Sequence, residues 1–138
     1  MREIEFRGKI KNTDKWAYGN LQIRKTGTAI ITPDETVLGT YGQVDPETVG
    51  QYTGLKDKNG VKIYEKDIVQ YIYYNFSNDD FGHKGFYRRI LEVYFNETEL
   101  KFTYKLIKAE EIEMPKDYKE AYMEVIGNIV DNKELLED

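Results

Sequence analysis

The chain has no cysteine, so neither a disulfide framework nor a thiolate metal site can be built from it. It has one histidine, His83, and no Gly-x-Ser-x-Gly motif. A hydrolase triad therefore lacks both its usual nucleophile setting and a choice of imidazole base. Three prolines in 138 residues argue against a linker-like polymer. No apolar run approaches the roughly 20 residues that span a bilayer. The opening residues, from Met1 through Lys9, alternate charge with apolar side chains and contain no apolar signal core. The chain is expected to stay in the cytoplasm and to make no membrane contact.

Aromatic side chains are plentiful. Twelve tyrosines and six phenylalanines raise the aromatic share to 14% within a hydrophobic share of 40%. That is too apolar for a disordered chain, even with 33% charged residues. At this length one domain, residues 1–138, buries roughly two-thirds of its unfolded surface. The net charge of −5 conceals an asymmetry: residues 1–108 carry 17 basic and 15 acidic side chains, residues 109–138 carry 3 and 10. A solvated acidic face explains this, as does an acidic arm docked on a basic surface of its own or of a neighbouring copy.

The patterning is that of strands. Ile4, Phe6 and Ile10 fall on one face of an opening strand. Trp16 and Tyr18 restart the alternation, and Leu21 and Ile23 continue it out of phase, which predicts a bulge or turn at Gly19-Asn20. A short apolar run, Ala29-Ile30-Ile31, leads into a loop over residues 32–43. Asp45-Pro46-Glu47 has the chemistry of a helical first turn. Residues 68–74 and 86–95 are β-branched and aromatic, and residues 100–106 place Leu100, Phe102, Tyr104 and Leu106 opposite Lys101, Thr103 and Lys105. Residues 117–123 are expected to form a short helix, residues 125–130 a last strand, and residues 132–136 a helical turn. Closely spaced strands joined by turns point to a mainly-β fold, a small barrel or a strongly curved sheet.

The most distinctive segment is residues 48–69. Within it stand Gly50, Gln51, Tyr52, Thr53, Gly54 and Leu55, then the reverse turn Lys56-Asp57-Lys58-Asn59-Gly60, then Ile63, Tyr64, Glu65, Lys66, Asp67, Ile68 and Val69. Asn59-Gly60 readily takes the positive φ that a tight turn needs. This segment resembles the signature of the YopX family, small uncharacterised proteins of bacteriophages and prophages of mostly Gram-positive bacteria. Phe6-Arg7-Gly8-Lys9 with Trp16 and Tyr18-Gly19 is similar to that family's start. Val125-Ile126-Gly127-Asn128-Ile129 with Leu135-Leu136 is similar to its end.

The resemblance implies an SH3-like β-barrel core, about residues 45–130, with additional strands and short helical turns, and residues 1–31 packed with it. It implies a phage or prophage accessory protein in a bacterial cytoplasm, with no established activity and no functional residues to carry over. Where the family usually has Glu-Gly-Asp, this chain has Glu65-Lys66-Asp67. If that glycine serves a positive φ, Lys66 carries a modest strain or the turn is remodelled.

Candidate sites are few. The loop around His83, with Asp79 and Asp80, matches no metal-ligand spacing, and Asp57-Lys58-Asn59-Gly60 lacks the glycine position of a calcium loop. No cofactor is expected, and no enzyme. Glu65 and Asp67 share a strand face, as surface carboxylates often do. Dense tyrosines suit an interaction module that self-associates or binds a host or phage protein. The alternative is nucleic-acid binding through residues 81–89, where Phe81, Phe86 and Tyr87 interleave with Lys84, Arg88 and Arg89. The overall acidity weighs against that reading.

Overall fold

The computed structural model describes residues 2–31, 41–80 and 82–137. Most of the expected loop after Ile31, with Pro33, Asp34 and Gly39, lies outside the described residues, as does Phe81. The chain divides into two compact units, Met1–Leu55 and Lys56–Asp138.

In the first unit, strands β1 (Phe6–Lys9), β2 (Trp16–Arg24), β3 (Gly27–Ile31), β4 (Tyr41–Val44) and β5 (Gly50–Lys56) pair in the order β4-β3-β2-β1-β5. The expected break at Gly19-Asn20 does not occur. β2 runs through it and changes partner there: Gly19 sits opposite Phe6 of β1, and Asn20 opposite Ile31 of β3. The core is Ala17, Ile30 and Val44, with Phe6, Ile10, Leu21 and Val49 against it. The inward face of β2 is therefore that of Ala17 and Leu21. Trp16 on the other face lies under the Arg7 guanidinium, 4.8 Å away, a favourable cation–π contact. After β4, Pro46–Thr48 makes one 3-10 turn. Thr48 locks it, its hydroxyl donating to the Asp45 carbonyl at 2.6 Å and accepting from the Lys9 N–H at 2.8 Å.

The second unit holds β6 (Lys62–Tyr64), β7 (Asp67–Asn75), β8 (Gly85–Asn96), β9 (Lys101–Ile112), β10 (Tyr122–Asn128) and a 3-10 turn, Lys133–Leu136. Four of these strands form an antiparallel sheet in the order β10-β7-β8-β9. Ile63, Val69 and Val93 are its core, with Leu91, Met123 and Val125 packed on them. Mainly-β character is as expected. The sheet order is open, so no closed barrel forms among the described residues. The outer side of β10 instead meets the signature turn: the Val125 N–H donates to Asp57 Oδ2 at 3.0 Å, and the Met123 carbonyl accepts from the Lys58 N–H at 3.1 Å.

Two further expectations give way. No helix forms over residues 117–123: Asp117 has φ 61°, and Tyr122 and Met123 are drawn into β10 by pairing with Ile72 and Tyr71. The clean alternation of residues 100–106 does not sort core from solvent. Leu100 sits in the hairpin turn at φ 56°, and Leu106 is half exposed. An extra residue, Ile107, bulges between Leu106 and Lys108 and shifts the phase of β9.

Lys66 takes φ 74°, in the left-handed region that disfavours a side chain. Its backbone is bonded on both sides, N–H to the Val93 carbonyl at 2.8 Å and carbonyl from the Ile129 N–H at 2.9 Å. The sheet therefore holds the strained conformation in place. Replacing Lys66 by glycine is expected to raise stability by about 0.5–1 kcal/mol, the relief of left-handed strain less the extra entropy of an unfolded glycine. A higher urea midpoint with unchanged slope would register it; a lower midpoint would contradict it.

Candidate functional site

β10 accompanies β7 only as far as Tyr122 opposite Ile72, whereas β8 follows β7 to Asn75. Among the described residues, β7 beyond Ile72 has a sheet neighbour on one side only. A cleft of about 640 Å³ opens alongside this end. Its walls are mainly aromatic: Tyr73, Tyr74, Phe76 and Phe86, closed on the far side by Tyr118 and residues 119–121.

The rings are arranged in two sets by the alternation of β7. On one face Tyr71 and Tyr73 stack at 5.3 Å and 17°, and Tyr73 continues onto Tyr87 at 6.0 Å and 26°. The Arg89 guanidinium lies 5.2 Å from the Tyr73 ring. On the other face the contacts are edge-to-face: Tyr74 with Phe76 at 4.7 Å, Tyr74 with Phe86 at 5.0 Å, and Phe86 with Tyr118 at 4.9 Å. Both geometries are favoured by the ring quadrupole. Phe76 is 78% exposed.

The residues expected to contact nucleic acid do not share one surface. Arg88 and Arg89 point to opposite faces of β8. Arg88 Nε donates to Glu110 Oε1 at 2.7 Å, a second guanidinium nitrogen reaches the same oxygen, and Lys108 lies 3.8 Å from the other. The hydrogen bond from Arg88 leads in holding the Glu110 carboxyl below its usual range, against desolvation and with the charges of Arg88 and Lys108. Tyr87 spends its hydroxyl on the loop, donating to the His83 carbonyl and accepting from the His83 N–H, both at 2.9 Å. Lys84 is exposed, its N–H bonded to Asn78 Oδ1 at 3.1 Å.

The signature residues are architectural in what they touch. Tyr52, Ile63, Tyr64, Asp57 and Asp67 are buried. Asp67 Oδ2 accepts the Tyr64 N–H at 2.7 Å and so closes the turn that holds Lys66. Asp57 accepts three backbone N–H groups, and Asn59 and Gly60 complete its turn. Gly50 is buried in β5, where Gln51, Tyr52, Thr53 and Gly54 follow; Leu55 is exposed, and Glu65 sits half-buried beside Lys66. Among the described residues no three potential metal ligands come together, and no helix is long and apolar enough to cross a membrane.

Missing from the expected site was Tyr118. It lies far along the chain in a polar stretch, and only the pairing of β10 with β7 carries it to the cleft. The dense aromatics of residues 71–76 are the local signal for the cleft in the sequence.

Two antiparallel sheets with almost no helix define a mainly-β protein whose most distinctive residues build turns. The chain belongs to the family described as YopX protein, whose model matches residues 5–137. It is similar to a solved structure, the crystal structure of protein EF1440 from Enterococcus faecalis, with 22% identity, 99% of this chain and 100% of that one covered, and a TM-score of 0.49. No curated protein matches it significantly.

Proposed function

We propose that this YopX-family chain is a non-enzymatic accessory protein of a phage or prophage, acting in the bacterial cytoplasm as a self-associating binding module. Its partner is a host or phage protein that seats an extended apolar segment in the aromatic cleft. The observation that carries this reading is the cleft itself. Its volume falls in the range of ligand sites. Its tyrosines offer large rigid contact area with a polar tip, the side chains that dominate interface hot spots. The one-sided end of β7 also suits an added strand. A second reading, single-stranded nucleic acid, is favoured by the stacked Tyr71, Tyr73 and Tyr87 with Arg89 over the Tyr73 ring, and weakened by the engagement of Arg88 with Glu110.

Peptides selected from a random display library on the full chain test the first reading. They are expected to lose at least about tenfold in affinity on Phe76→Ala or Tyr118→Ala. Selection that yields nothing, or peptides indifferent to both changes, overturns it. Random single-stranded DNA titrated at low salt is the control. Binding that falls steeply with salt and is lost on Arg89→Ala would transfer the site to nucleic acid.

A further inference from the structure

Phe76 is the most exposed ring of the aromatic cleft and the first residue beyond β7. Its place in the chain is nevertheless fixed. Asn75 forms the last pair of the β7–β8 ladder, with Gly85, and its Oδ1 accepts the Ser77 N–H at 3.1 Å. That bond makes an Asx turn, a side-chain substitute for a backbone turn. Phe76 is its middle residue and meets Tyr74 edge-to-face at 4.7 Å. The Asn75 amide is oriented in its turn. Its Nδ2 donates to the His83 carbonyl at 3.2 Å, which leaves Oδ1 for Ser77. The same carbonyl accepts the Tyr87 hydroxyl at 2.9 Å, and that hydroxyl accepts the His83 N–H at 2.9 Å. A carbonyl has two lone pairs, and here both are used. Tyr87 can serve as the fixed post because its ring stacks on Tyr73. Gly82 leaves it room, since a Cβ there would stand 2.7 Å from the hydroxyl.

A hydroxyl from the Tyr71–Tyr73–Tyr87 stack is thus joined, through His83 and Asn75, to the turn that presents Phe76 to the other set of rings. Each of these bonds is open to water and contributes little to folding by itself. Their effect is to set one ring in advance. On the reading that the cleft seats a partner segment, we infer that Asn75 and Tyr87 are its positioning residues. Neither lines the cleft; they hold the Phe76 ring where the arriving segment meets it. A ring already held costs less to immobilise on binding than one on a loose connection. The cost of ordering one side chain at an interface corresponds to about two- to tenfold in affinity.

The probe is a set of library peptides that bind the full chain and lose affinity on Phe76→Ala. Asn75→Ala and Tyr87→Phe, the second of which keeps the stacked ring, should each weaken them about two- to tenfold. In a chain already carrying Phe76→Ala, the same two substitutions should change affinity by less than about twofold, because a positioning residue acts only through what it positions. The nuclear Overhauser contact between the Phe76 and Tyr74 rings should weaken in both variants, while amide exchange in the β7–β8 ladder stays as in the wild type. Peptides that depend on Phe76 but are indifferent to Asn75→Ala and Tyr87→Phe overturn the inference and leave the cleft reading standing. Equal losses with and without Phe76 also overturn it, since the two residues would then act on the fold at large. A selection that yields no Phe76-dependent peptide overturns both.

Discussion

Replacing Asp57 by alanine is expected to lower folding stability by about 4 kcal/mol, a large part of the whole for a chain of this size. Its carboxylate accepts the N–H of Asn59 at 2.8 Å, of Val61 at 2.9 Å and of Val125 at 3.0 Å. The first two hold the turn together, and the third ties that turn to β10 across 68 positions of sequence. Each hydrogen bond to a charged group contributes about 1.5–3 kcal/mol, and a donor stranded without water costs a similar amount. Water can serve part of the exposed turn, so the three do not add in full. The urea midpoint measures the loss, and Asp57→Asn, which keeps one acceptor oxygen, should lose less.

The same carboxylate gives stability a dependence on acid. Burial opposes its ionisation most strongly, but the N–H groups of Val125, Val61 and Asn59, with the charge of Lys58, outweigh burial and hold its pKa below the ordinary 3.8. A group whose folded pKa is depressed takes up its proton more readily when unfolded. Its contribution is therefore complete above the unfolded value and is lost as pH falls through the folded one. Asp57→Asn should flatten that acid limb in a pH series of unfolding midpoints. An identical limb in wild type and variant would remove Asp57 as its source.

Gly8→Val is expected to cost about 2–3 kcal/mol. A Cβ at Gly8 would stand 2.9 Å from Val44 Cγ2 and 3.0 Å from its Cβ, closer than side-chain carbons approach. Val44 is fully buried among Ala17 and Ile30 and has nowhere to retreat, so the strands must move apart. Gly8→Ala combined with Val44→Ala should recover part of the loss of Gly8→Ala, because the second change vacates the space the first one needs. Strictly additive effects in that cycle would show that the contact is not the cause.

These two residues show what the sequence made legible. The turn at residues 56–60 and the strands after it could be read from Asn59-Gly60 and from β-branched runs, because turn chemistry and strand propensity are local. What Asp57 accepts from could not be read, since Val125 reaches it only once β10 lies beside β7. The helix expected over residues 117–123 failed for the same reason: a partner strand overrode a weak local preference at Tyr122 and Met123. In β9 a single bulge defeated an alternation that was otherwise regular. At the site, local reading found the aromatics and the arginines. It could not tell that Arg88 and Arg89 part company across the sheet, or that Tyr118 closes the cleft.

The position of β10 bears on how the chain is made. β7, β8 and β9 are joined in sequence by hairpins and can pair as soon as they leave the ribosome. β10 must return past two of them to reach β7, pairing Asn128 with Asp67. Until β10 is synthesised, the other side of β7, with Ile68 and Val69, lacks the strand that pairs with it. Nascent or shortened chains of this protein will present that side as an adhesive edge, and they are where chaperones should be found bound.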